Sequence, residues 1–131
     1  MTTADICLLA ACVLPIACTA IAKWGAFGKS PREGGYDNRD PRAWLARQEG
    51  YRARANAAQA NSFEALPLFI VAVLVAQRNQ APQATVDLLA LAFIALRLVY
   101  IGLYVGNRAA ARSIVWFAGV AACVAIFFSA A

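Results

Sequence analysis

The sequence predicts an all-α membrane protein, a bundle of four antiparallel transmembrane helices. Composition points there first: 62% of the 131 residues are hydrophobic and only 15% are charged. Ordinary soluble domains hold roughly 45–50% and about 25%. A small domain has too much surface per volume to be covered by so few polar groups. The same apolar content excludes a disordered chain, and the length allows one domain, residues 1–131. The second observation is a set of apolar runs near the length a spanning helix needs. The third is the uneven charge: eight of the 12 basic residues lie between Lys23 and Arg54.

The first span is expected at about 4–25, around the uncharged run Ile6 to Ala22. A cleaved signal peptide is the alternative, and Leu9-Ala10-Ala11-Cys12 has the form of a lipoprotein cleavage box. The absence of a basic residue from Met1 to Asp5 argues against both. Pro31, Gly34, Gly35 and Pro41 then mark a loop at about 28–41. From Arg42 the Ala/Arg/Glu/Gln-rich stretch predicts a helix that projects from the membrane and continues into the second span, about 55–77. Its first half carries Asn56, Gln59, Asn61 and Glu64, which cannot face lipid cheaply. Pro67 removes the backbone bond to Phe63 O and predicts a kink beyond Glu64. The third span, about 86–106, holds one charge, Arg97, and ends in a Gly102-x-x-x-Gly106 pattern. The fourth, about 111–130, follows Arg112 and belongs to an uncharged run, Ser113 to Ala131.

The connections orient the bundle. The first carries eight Lys/Arg and the third carries Arg108 and Arg112, while the second carries only Arg78. The positive-inside rule places connections one and three in the cytoplasm and both termini outside. Nucleic acid is not an expected partner, because the basic stretch lacks regularly interleaved aromatics and sits between apolar runs. There is no histidine. That removes Ser/His/Asp triads and His-ligated metal sites, and no metal site is expected. Cys7, Cys12, Cys18 and Cys123 lie in apolar runs without a Cys-x-x-Cys pair and read as small buried residues.

The polar residues within the spans are the candidate site. Arg47, Arg54 and Asn61 recur at seven-residue spacing on the second helix, with Glu64 beside them. Arg97, Tyr100 and Tyr104 form one stripe on the third helix, and Arg112 and Ser113 open the fourth. Two readings stand. Glu64 and Arg97 neutralise each other as a buried pair that locks two helices. Alternatively, these groups line a cytoplasm-facing pocket for a small anionic ligand with an ammonium group, since arginine forks onto carboxylates and Glu64 accepts an ammonium.

The stretch Arg54 to Phe69, with its Asn61-x-x-Glu64 and Pro67-Leu-Phe69, resembles the helix-two signature of the MAPEG family of membrane-associated proteins in eicosanoid and glutathione metabolism. The loop Tyr36-Asp-Asn-Arg-Asp-Pro-Arg42 is similar to that of bacterial members. Arg97-x-x-Tyr100-x-x-x-Tyr104 and Arg112-Ser113 resemble the family's helix-three pattern and its helix-four opening. The resemblance implies a homotrimer with glutathione sites at subunit interfaces, membrane lipids and lipophilic small molecules as partners, and a bacterial inner-membrane location with periplasmic termini. It implies that Asn61, Glu64, Tyr100 and Tyr104 contact glutathione, the co-substrate, with Ser113 a neighbouring polar position; Arg54 and Arg97 join this candidate binding set from their helix faces, not from the resemblance. Arg112 matches the arginine that stabilises the glutathione thiolate. The implied activity is glutathione transfer or peroxidase chemistry on lipophilic electrophiles. Two positions depart from the family pattern: Ala57 stands where many glutathione-using relatives have Arg, and Gln59 where many bacterial ones have His. A non-catalytic lipid-binding or scaffold protein of the same fold is the alternative. A small proton-coupled exporter needs a carboxylate in its first span, and Ile6 to Ala22 has none.

Overall fold

The capping residues fit the ends of the apolar runs. Helix α1 (Thr3–Lys23) opens on Thr2, whose hydroxyl accepts from Asp5 N while the Asp5 carboxylate accepts from Thr2 N at 2.7 Å. This reciprocal cap satisfies two free amide donors. The computed structural model describes residues 1–130; Ala131, the last residue of the fourth apolar run, lies outside the described residues. A 3-10 turn at Pro31–Glu33 precedes α2 (Pro41–Ala46), which Asp40 caps through Ala43 N. Helices α3 (Gly50–Arg78), α4 (Gln83–Val105) and α5 (Ala109–Phe127) follow.

Four helices, α1, α3, α4 and α5, are long and apolar enough to cross a membrane. The protein is an integral membrane protein. The 29 residues of α3 extend about 44 Å at a rise of ~1.5 Å each. That exceeds the ~30 Å apolar core of a bilayer, so one end of α3 reaches into the loop region. Pro67 lies inside α3, which runs on unbroken to Arg78.

One expectation is corrected here. The helix beginning near Arg42 is not continuous with the second span. The chain leaves the helix after Ala46, and Gly50 starts α3 at φ +61°, a backbone region costly for residues with a side chain. The break lets α2 fold back, so that Trp44 is 4% exposed and meets the Tyr36 ring edge-on at 5.3 Å. Arg47 therefore ends α2 and does not share a face of α3 with Arg54 and Asn61.

Helices α3 and α4 occupy the middle of the bundle, with α1 packed on both from one side and α5 on both from the other. Small side chains bring the axes close: Ala4, Ala11, Ala72, Ala76, Ala90 and Ala122 are buried in one cluster. Phe69 and Phe93 stack at its centre, centroids 4.1 Å apart. The terminus-bearing end is tied by polar bonds. Asp87 Oδ1 accepts from Ala4 N at 2.8 Å, and Gln77 Nε2 donates to Thr2 Oγ1 and Asp5 Oδ1. All four cysteines are free thiols, Cys12 exposed and the others buried.

Candidate functional site

Helices α3 and α4 are joined across their interface by Arg97, which is only 4% exposed. Its guanidinium fork spans two adjacent positions of α3. Nη1 donates to Asn61 Oδ1 at 3.0 Å and Nη2 to Ser62 Oγ at 3.1 Å. The Ser62 hydroxyl donates onward to Ala58 O at 2.8 Å, the back-bond to i−4 that serine makes inside helices. The guanidinium carbon also lies 4.3 Å from the Tyr100 ring centroid. These contacts hold the cation with neutral groups.

Glu64 does not pair with Arg97. Among the described residues the one ion pair is Arg39–Asp37 in the loop, at 3.0 Å. Glu64 lies on the exposed side of α3, and Asn61 stands between it and the guanidinium. Asn61 bonds both: its Oδ1 accepts from Arg97 and its Nδ2 donates to Glu64 Oε2 at 3.3 Å. The amide separates two charges that the pairing expectation placed in contact.

One turn and more beyond Arg97, the pattern repeats. Tyr104 meets Tyr100 edge-on at 5.7 Å, and the Arg112 guanidinium lies 4.2 Å over the Tyr104 ring. Cation, ring, ring and cation thus run along the junction of α4 and α5. Asn61, Tyr100, Tyr104, Arg112 and Ser113 line one open cleft of ≈ 210 Å³, with Trp116 and Phe117 as its apolar wall. A smaller hollow of ≈ 100 Å³ shares Asn61, Tyr100 and Trp116 and adds Glu64 and Arg97. Arg97, Arg112 and Glu64 give these two spaces a net charge of +1. Ser113 Oγ donates to Ala109 O at 3.2 Å. No side chain caps the N-terminus of α5, so its first amides keep their positive partial charge near Arg112.

Arg54 is placed elsewhere. Its Nε donates to Val105 O at 2.9 Å, covering a carbonyl left free at the end of α4. The bond shows that the start of α3 lies beside the end of α4, which puts the cleft in the half nearest the basic loop. Within that loop, bonding to the Arg39 guanidinium holds the Asp37 carboxyl below its ordinary range.

Sequence reasoning missed Ser62, Trp116 and Phe117. Trp116 was within reach, because it follows Arg112 by four residues and so shares its helix face. Ser62 carried no local signal; its role arises only from facing Arg97 across the helix interface.

Four spans, this polar stripe and its chain-long order bear on family. Residues 3–131 match the family model of the MAPEG family. The chain belongs to the MAPEG family. Comparison with curated proteins gave no match, and comparison with solved structures gave none. MAPEG members use glutathione, and membership supports a glutathione-related transferase or peroxidase type of function in the membrane. The donor set is compatible with that co-substrate. The cleft and hollow offer two guanidiniums, one carboxylate, an amide and two phenols, groups complementary to a tripeptide with two carboxylates, an ammonium and a thiol.

Proposed function

We propose that this MAPEG protein transfers glutathione to lipophilic electrophiles, or reduces lipid hydroperoxides with it, and that Arg112 stabilises the glutathione thiolate. The observation that carries the reading is the Arg112 guanidinium, seated on Tyr104 beside the uncapped start of α5 in an open cleft. A free thiol has a pKa near 8.5, so about 3% is ionised at pH 7. A guanidinium ~4 Å from the sulfur favours the anion by up to about 4 kcal/mol at an effective dielectric of ~20. That corresponds to at most about 3 pKa units. The thiol proton leaves to solvent. The sulfur then forms a bond to carbon as the bond to the leaving group breaks. The apolar partner arrives from the bilayer, past Trp116 and Phe117. Asn61, Glu64, Arg97, Tyr100, Tyr104 and Ser113 hold the peptide part.

The cleft of ≈ 210 Å³ is open on one side and smaller than the ~300–1,000 Å³ usual for small-molecule sites. A second copy of the chain completing it, within a homotrimer, agrees with that size. The positive-inside rule supports a cytoplasm-facing cleft with both termini on the opposite side, and the resemblance to bacterial members supports a bacterial inner membrane with periplasmic termini.

The test uses Arg112→Ala and Arg112→Lys. Conjugation of a chlorinated aromatic by Arg112→Ala at pH 7 is expected to fall by up to about 30-fold, from nearly full ionisation to about 3%, with glutathione still bound and its apparent thiol pKa raised. Arg112→Lys is expected to recover part of the loss. An unchanged thiol pKa and turnover in Arg112→Ala would falsify the mechanism. A second reading, a non-catalytic lipid-binding scaffold, is favoured by Ala57 and Gln59. They line a different groove with Asn56 and Phe63, on another face of α3. Absence of glutathione binding by the purified protein decides for it.

A further inference from the structure

The end of α1 carries a second, unassigned groove. Trp24 and Phe27 are 76% and 65% exposed there. With Ile16, Ala20, Lys23 and Gly25 they line a space of ≈ 700 Å³. Leu9, Val13 and Ile16 are exposed in turn and extend the apolar strip along one face of α1. From Leu9 to Ala20 the strip measures about 16 Å, which is the scale of an acyl chain. One end of this strip is polar.

Two cations stand at that end. Lys23 Nζ donates to Tyr36 OH at 2.9 Å and lies 4.1 Å from its ring centroid. Arg52 donates to Trp24 O at 3.1 Å, Tyr51 OH at 3.3 Å and Gln48 Oε1 at 3.4 Å. Its Nη2 lies 3.9 Å from where a Cβ on Gly25 would stand, so the guanidinium borders the groove. Each of these partners is neutral, so neither cation is paired with a carboxylate. Trp24 O would oppose an anion, because it belongs to the negative end of α1. Tyr51 OH and Arg52 both donate to it and quench that opposition. The surrounding segment 23–54 holds eight basic and four acidic residues, a net +4.

We propose that this groove binds one anionic glycerophospholipid from the leaflet on the side of the basic loop. Its phosphate sits at Lys23 and Arg52, and one acyl chain lies along Ile16 and Ala20. A second copy of this chain is the weaker occupant, since a chain of net charge +5 brings no excess of acid to two free cations.

The full chain, purified in detergent, is to be analysed by native mass spectrometry with phosphatidylglycerol and phosphatidylcholine in competition. Two interfacial cations predict a preference of about 30-fold for the anionic lipid. Lys23→Gln/Arg52→Gln is expected to bring the ratio close to one, whereas Arg32→Gln, on the exposed 3-10 turn, keeps it. No preference in the wild type overturns the proposal. So does a preference that survives the double variant, or one that falls equally with Arg32→Gln. A benzophenone photo-crosslinker at Ala20 provides a measurement independent of the folding of those variants. Capture of phosphatidylglycerol supports the site, and capture of a second protein copy overturns it.

Discussion

Asn61→Ala is expected to cost more stability than removing the buried cation that Asn61 serves. Arg97 makes two hydrogen bonds at 3.0 and 3.1 Å and one ring contact at 4.3 Å, with 4% exposure. Hydrogen bonds to a charged group are worth about 1.5–3 kcal/mol. Side-chain bonds between helices in membranes average about 0.6 and reach about 1.7 kcal/mol. Asn61 also borders the open cleft, so water replaces part of its bond. The cost of Asn61→Ala therefore comes to about 1.5 kcal/mol. Arg97→Met loses all three contacts, but it also removes a guanidinium whose desolvation costs several kcal/mol. Ser62 Oγ still donates to Ala58 O, and Asn61 Nδ2 still donates to Glu64. Arg97→Met is accordingly expected within about 1 kcal/mol of the wild type. The double variant should resemble Arg97→Met alone, with a coupling energy of about 1.5 kcal/mol. Reversible unfolding in mixed micelles, followed by helix ellipticity, reads all four proteins. Additive costs would show that the amide does not serve the cation, and the reasoning fails.

Three further outcomes are expected. Arg54→Ala exposes Val105 O at the end of α4 and should lower unfolding stability by about 1–2 kcal/mol; unchanged stability refutes the cap. Bonding to Arg39 depresses the Asp37 carboxyl. A depressed folded value means that its contribution is present above the ordinary carboxylate pKa and is lost as pH falls through the folded value, below about pH 4. Carboxyl NMR should show Asp37 titrating below the normal range and returning towards it in Arg39→Gln; identical curves refute the pairing. Gly35→Ala places a Cβ 2.0 Å from Lys29 O, a backbone atom that cannot swing away. Protease cleavage within 28–41 should quicken by about tenfold, and an unchanged rate refutes the tight turn.

Much of the site was legible because helices have a fixed period. Tyr100 and Tyr104 share a face from spacing alone, and Arg112 and Ser113 follow from the start of the next apolar run. What escaped was contact across helices. Arg97 reads as a partner for Glu64 when only charge is considered. The rotation of α3 instead presents Asn61 and Ser62 to it and turns Glu64 outwards. Arg54 lies on the expected helix yet spends its Nε on Val105 O, a destination set by the axial offset of α3 and α4. The break after Ala46 was hidden because Arg47, Gln48 and Glu49 are good helix formers. The break lets Trp44 reach Tyr36, a contact from outside the segment.

By itself the sequence determined that the chain crosses a membrane in four helices. Lipid offers backbone groups no partners, so any apolar run of spanning length must satisfy its own hydrogen bonds as helix. It also determined which end of the bundle carries the basic charge, since that follows from counting along the chain. Tertiary structure alone decided which polar groups meet. It seated Arg112 on Tyr104, suspended Arg97 between Asn61 and Ser62, and left Lys23 and Arg52 without acidic partners beside an apolar groove. Those contacts depend on how far each helix is rotated and shifted against its neighbours. The packing of small side chains between the helices sets both quantities, and no local pattern records them.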